Sequence, residues 1–307
     1  MRGRKLLAVV AVDLALSFGA APVFAEGPEP GRTGQIAVNG VEYYYETHGE
    51  GEPLLLLHGG LGTFEMFTPI LPELTESRQV IGVDLYGHGR TQLVDGRPMD
   101  LTEMGRDMAA LVEGLGYERV DVMGYSLGGG VAGQMAAQQP ERVRRLVVLS
   151  APFERAGFHD GIQAQMEQIG AHQAEAMKGT PMYQAYANVA PDVTAFPDLL
   201  DAVGDLLSQP DSFTLDVEAL EPPVMLVYGD GDMIRLEHMV EFYKRLGGGQ
   251  RDAGWERAHM PENSLAILPN LTHYELFGAP AMVRTVLPFL NGEKPDLSWA
   301  NAQEAAQ

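Results

Sequence analysis

Six short runs of mostly aliphatic residues recur along this chain, and they constrain its fold more than any other feature. They fall at Leu54–Leu57, Val80–Val83, Val120–Met123, Leu146–Leu149, Val224–Tyr228 and Leu265–Leu268. A strand with one wet face alternates apolar and polar residues, whereas a run apolar on successive positions belongs to a strand covered on both faces. Amphipathic helical segments lie between the runs, at Leu101 to Leu115, Leu127 to Gln138, Glu237 to Leu246 and Ala281 to Leu290. Strands alternating with helices predict an α/β fold with a mostly parallel central sheet flanked by helices. Ahead of the first run, Gln35–Val38 and Val41–Thr47 flank Asn39-Gly40, a pair that tolerates the positive φ angles of a tight turn, so a β-hairpin is expected there.

The alternation breaks once. Residues 153–220 carry no buried strand run but are helix-prone, with Met166, Met177, Met182 and several aromatics, and breakers at Pro181, Pro191, Pro197 and Pro210. They predict a helical cap inserted into a core made of residues 35–152 and 221–292. A second irregular stretch, Gly247 to Asn263, is longer than most loops and carries no readable chemistry. The first 25 residues read as a secretory signal: Arg2, Arg4 and Lys5, then a largely apolar stretch broken by Asp13, then Val23-Phe24-Ala25 as a small-residue cut site. Cleavage after Ala25 would place the protein in the periplasm or outside the cell. No stable membrane anchor is expected after cleavage. Residues 26–34 form a Pro/Gly-rich linker and residues 293–307 a C-terminal tail.

The formal charge of −21 argues against nucleic acid, whose phosphates need a basic face, and against attachment to anionic lipid. There are no cysteines, which excludes disulfides, a thiolate nucleophile and zinc–sulfur sites. No His-Glu-x-x-His or other clustered ligand spacing appears, so neither a metal nor a cofactor is called for. The expected partner is a small molecule.

In open parallel sheets, sites gather at the carboxyl ends of the strands, so the polar residues just past each run are the ones to inspect. After Val120–Met123 comes Gly124-Tyr-Ser-Leu-Gly128, a pattern that sets a serine on a sharp strand-to-helix turn with its hydroxyl exposed. After Leu54–Leu57 comes His58-Gly-Gly-Leu-Gly62, whose backbone N–H groups could face an oxyanion together with that of Leu127. Asp84-Leu-Tyr-Gly-His-Gly-Arg90 follows the second run, and His88 there reads as a structural residue that holds its loop. Gly229-Asp-Gly-Asp232 offers two carboxylates. Asp232 is favoured as the acid, with Asp230 shaping the turn by accepting backbone N–H bonds. His273 lies past the last run, just before the final helix. The remaining histidines, His48, His159, His172, His238 and His259, read as surface or structural.

Serine is a poor nucleophile until a neutral imidazole takes its proton, and a buried carboxylate must hold that imidazole in the right tautomer. The expected catalytic set is therefore Ser126, His273 and Asp232, with an oxyanion hole from Gly60 and Leu127. Gly59, Leu61 and Tyr125 are expected to touch the substrate.

With these five motifs in this order, residues 35 to 292 resemble the α/β-hydrolases of the esterase-like type. The resemblance implies a Ser–His–Asp triad, a cap over the pocket and hydrolysis of carboxylic esters through an acyl-enzyme, and it supports Asp232 over Asp230. Lactonase, amidase, carbon–carbon hydrolase and cofactor-free perhydrolase chemistry use the same triad. A ligand-binding protein on a hydrolase scaffold is the alternative of a different class.

Overall fold

The computed structural model describes residues 28–293. The signal segment and its cut after Ala25, and nearly all of the expected tail, lie outside the described residues. The elements are, in chain order, β1 (Arg32–Val38), β2 (Val41–His48), β3 (Glu52–Leu57), α1 (Leu71–Thr75), β4 (Arg78–Val83), α2 (Leu101–Gly114), β5 (Val120–Tyr125), α3 (Leu127–Gln138) and β6 (Val143–Leu149). There follow α4 (Asp160–Met166), α5 (Ala174–Met177), α6 (Pro181–Val189), α7 (Phe196–Ser208), β7 (Val224–Gly231), α8 (Leu236–Arg245), β8 (Ser264–Thr272), α9 (His273–Leu276) and α10 (Pro280–Leu290).

The eight strands form one sheet in the order β1-β2-β4-β3-β5-β6-β7-β8. The β1–β2 hairpin and its junction with β4 are antiparallel, and every other pairing is parallel. Side chains alternate across the pleat, so a central strand feeds two cores at once. Leu55 and Leu57 of β3 join the core beneath α2, α3 and α8, while Leu54 and Leu56 join the one beneath α1 and α10. All four are fully buried, which is why their sequence shows no alternation.

Leu265–Leu268 was expected to be buried in the same way and is not. Its strand, β8, is the edge of the sheet, and it is half-buried at best, with Ile267 exposed. An edge strand has a neighbour on one side only, so apolar content there reflects partial cover rather than centrality. Between β6 and β7 the chain forms α4 to α7 with no strand. Helix α7 turns Leu199, Leu200, Val203, Leu206 and Leu207 into the same core as the sheet.

Polar clusters pin the amino ends of the strands. Arg78, on β4, is 1% exposed and bonds the fully buried Asp121 of β5 at 2.5 Å; Arg144 of β6 reaches both oxygens of that carboxylate. Removing the acid strands a buried guanidinium, a class of change that costs about 3–5 kcal/mol. Asp121→Ala is therefore expected to lower the free energy of urea unfolding by about that amount. A loss below about 1 kcal/mol would show that the cluster is not a structural pin.

Candidate active site

The turn after β5 is built by two missing side chains. A Cβ on Gly124 would lie 2.1 Å from the carbonyl oxygen of Gly128, and one on Gly128 would lie 2.4 Å from that of His58. Both would collide with backbone, so only glycine lets α3 start so close to the ends of β5 and β3. Ser126, between them, sits at φ +54 and ψ −118, a conformation costly for a residue with a side chain. Hydrogen bonds hold it there: its N–H donates to Leu149 O at 2.8 Å, and its carbonyl accepts from Gly130 N at 3.1 Å.

The structure brings Ser126, His273 and Asp232 together. His273 Nε2 lies 3.1 Å from Ser126 Oγ, and its Nδ1 lies 3.1 Å from Asp232 Oδ1. A capping box places the imidazole: the Thr272 hydroxyl accepts from Tyr274 N, and the Glu275 carboxylate accepts from Thr272 N, so α9 starts at His273. Asp232 is 8% exposed. Burial pushes its carboxyl pKa up, but the hydrogen bond and charge of His273, the Ser150 hydroxyl and the Ile234 N–H outweigh burial, and the net shift is downward. It is held ionised. Asp230 is exposed and does not take the turn's backbone bonds as expected; Gly229 N and Ile234 N donate to Asp232 instead. The second aspartate is the one folded inward, so it both caps the loop and faces the imidazole.

Ser150 escaped the sequence reading. It is fully buried at the end of β6, adopts φ +49, and donates its hydroxyl to Asp232 Oδ2, the oxygen turned away from His273.

The glycine turn after β3 closes on the serine. A Cβ on Gly59 would lie 3.3 Å from Ser126 Cβ, and one on Gly60 would lie 3.5 Å from Leu127 Cδ1. Gly59 thus matters for lacking a side chain rather than for offering one. Leu127 is the first residue of α3, so its N–H has no partner inside the helix. Leu61, at φ +58, gives its N–H to His88 Nε2 at 3.0 Å, and its side chain is buried in the core. Tyr125 is also turned inward rather than toward a substrate. It is 5% exposed and donates its hydroxyl to the carbonyl of His273 at 2.8 Å, anchoring the histidine from behind.

His58 and His88 exchange bonds across the two turns. Leu85 N donates to His58 Nε2 at 2.9 Å, while Leu61 N donates to His88 Nε2. Each Nδ1 faces a carbonyl, of Gly59 and Tyr86 respectively. Both rings must then be neutral, with the proton on Nδ1 and Nε2 accepting. Burial, the larger cause in each, lowers the His58 pKa to about 4 and that of His88 to about 3.

A family model for the alpha/beta hydrolase fold matches residues 52–178. A thermophilic esterase from Thermogutta terrifontis superposes with a TM-score of 0.65 over 85% of this chain and 98% of its own, at 20% identity. An enol-lactonase from Burkholderia xenovorans gives 0.64 over 84% and 100%, at 18% identity. The chain has the α/β-hydrolase fold. Among curated relatives, a pimeloyl-[acyl-carrier protein] methyl ester esterase from Neisseria meningitidis is 29% identical over 73% of this chain and 89% of its own length. A 2-hydroxymuconate semialdehyde hydrolase from a Pseudomonas species is 33% identical over 45% and 49%. The relatives above 30% identity are matched over less than half of their length.

The two imidazoles also set a pH dependence. The folded pKa of His88 lies below its unfolded value of about 6.5, so its contribution is complete above that pH and is lost as pH falls toward the folded value. Asp84, raised by burial to about 6, acts with the opposite sign, so wild type alone does not isolate the histidine. His88→Gln keeps an acceptor for Leu61 N but cannot titrate. Between pH 7 and 5 it is expected to lose about 2 kcal/mol less unfolding free energy in urea than wild type loses. Equal losses would show that His88 does not stay neutral.

Proposed function

We propose that the protein is a serine hydrolase that cleaves carboxylic esters through an acyl-enzyme. The observation that carries this reading is the unbroken line from Ser126 Oγ through both nitrogens of His273 to Asp232, with 3.1 Å at each step. These lengths are within or just at reach for proton transfer, and such contacts tighten further when substrate binds.

In this reading His273 Nε2 takes the Ser126 proton as Oγ attacks the acyl carbon. The Gly60 and Leu127 N–H groups receive the oxyanion, and Asp232 stabilises the imidazolium. His273 then returns the proton to the leaving oxygen as its bond to the acyl carbon breaks. Water, activated by the same nitrogen, releases the acid and frees Ser126. The methyl ester esterase aligned over most of this chain supports esters above the other uses of the triad.

A panel of p-nitrophenyl esters of graded acyl length tests the reading. Wild type is expected to turn over at least one of them, and Ser126→Ala to lose activity by a factor of about 10³ or more. Turnover that is equal in the two proteins would overturn it. Asp232→Asn is expected to lose about 10⁴ in kcat, and Asp230→Asn almost nothing; the reverse ranking would move the acid to Asp230.

Ser150 gives a finer test, because glycine at φ +49 removes the hydroxyl while relieving the backbone. Ser150→Gly is expected to lower kcat about tenfold, a typical effect of an orienting partner, with KM and melting temperature little changed. An unchanged kcat would reduce Ser150 to a packing role.

A further inference from the structure

His273 reaches Ser126 from the edge of the sheet. It follows β8, which lies beside β7 at that edge, and none of the nine residues of β8 is buried. The pairing of β8 with β7 slips between Gly229 and Gly231, and Asn270, shortly before the histidine, takes φ +57. Strands β6 and β7 lie between β8 and the strand that leads into the serine. The capping box fixes the shape of the turn at His273, but not its place relative to Ser126. Asp232 orients the imidazole, but it does so from the loop after β7, the strand to which β8 is already joined. A tie between the histidine and β5 has to come from another group.

Tyr125 supplies it. It is the last residue of β5, directly before Ser126. Its hydroxyl donates to the His273 carbonyl at 2.8 Å. Its ring centroid lies 5.1 Å from that of the imidazole, and Phe277 packs on it at the same separation. The ring also reaches the glycine turn, where a Cβ on Gly59 would lie 2.7 Å from its Cε1. One side chain therefore touches both the turn beside the oxyanion donors and the segment that carries the base, while its own backbone leads into the nucleophile.

We propose that Tyr125 is a positioning residue, which sets the distance from His273 Nε2 to Ser126 Oγ by holding the backbone of the histidine to β5. The proposal rests on the serine esterase reading and deepens it. A buried tyrosine hydroxyl takes an acceptor on any account, so the bond alone would show only that burial is satisfied. The identity of the acceptor carries the argument: it is the main chain of the base itself, on a segment that its own strand holds weakly. The consequence follows from distance. Proton transfer needs hydrogen-bond reach, and Nε2 and Oγ stand at 3.1 Å, so an outward drift of the end of β8 separates them. A displacement of about 1 Å costs on the order of 10²-fold in rate. Substrate binding makes no use of the His273 carbonyl and is left unchanged.

Tyr125→Phe removes the hydroxyl and keeps the ring. On the fastest ester of the panel, kcat is expected to fall about tenfold or more, with KM within about twofold of wild type. Labelling of Ser126 by an organophosphonate separates positioning from loss of folded protein, because the serine needs its base for that attack too. A displaced histidine slows labelling about tenfold but lets it run to completion, whereas a purely structural role lowers the fraction labelled and leaves the rate alone. An unchanged kcat and labelling rate, or a loss confined to KM or to the labelled fraction, would overturn the proposal. Phe277→Leu is the second variant, since it keeps the hydroxyl and withdraws a wall that holds the ring. It is expected to slow labelling about threefold, and a wild-type rate there overturns the proposal even where Tyr125→Phe yields no folded protein. If wild type is neither labelled nor active on any ester of the panel, the esterase reading falls, and this one with it.

Discussion

The contact between Gly124 and Gly128 is the constraint on which the site depends. With a Cβ at either position, α3 could not begin against the carboxyl ends of β3 and β5. Ser126 would then lose the turn that lifts its hydroxyl out of the sheet, and Leu127 would lose its place beside the glycine turn. The geometry of the site is in this sense a packing result. Two absent methyl groups let two backbones approach, and the serine is carried to the only corner they leave.

That approach stores strain, and the strain is localised. Leu61, Ser126 and Ser150 each adopt a positive φ without being glycine or asparagine, and they follow β3, β5 and β6 in turn. Such conformations cost on the order of 1–3 kcal/mol and persist only when surroundings over-determine them. Here each N–H is committed: Leu61 to His88, Ser126 to Leu149 and Ser150 to Val227. The three donors are tied to a neighbouring turn or strand, so the carboxyl edge of the sheet behaves as one interlocked rim. The His58–His88 exchange is its tightest part, since each ring fixes the turn that the other belongs to.

Much of this was legible because strands report their burial through lost alternation, and because chemistry collects just past their ends. The buried runs located β3 to β7, and the polar residues following them pointed to the turns that now meet. Where the reading failed, the cause is specific. Leu265–Leu268 has the composition of a buried strand, but edge position is a property of strand order, which no local pattern encodes. Tyr125 adjoins the serine in sequence, yet successive residues of a strand point to opposite faces, and its ring went beneath His273. Ser150 carried the same signal as the others, a polar residue directly after a buried run. Its role emerges only when β6 is seen beside β7, which brings it to the far oxygen of Asp232.

Four aspartates are buried among the described residues, and their partners separate one from the rest. Asp84 is paired with Arg90, Asp107 with Arg97, and Asp121 with Arg78 and Arg144. Each of these charges is neutralised permanently, as a structural carboxylate must be when taken out of water. Asp232 has no guanidinium or ammonium. It is held by the Ser150 hydroxyl, two backbone N–H groups and the His273 ring. Such dipoles keep it ionised without cancelling its charge, which in the proposed mechanism is left to stabilise the imidazolium that forms as Ser126 attacks. A fixed arginine beside Asp232 would stabilise the resting carboxylate equally well, but in the proposed mechanism it would spend the charge that the transition state needs. The site is distinguished from the structural clusters by the cation it leaves out.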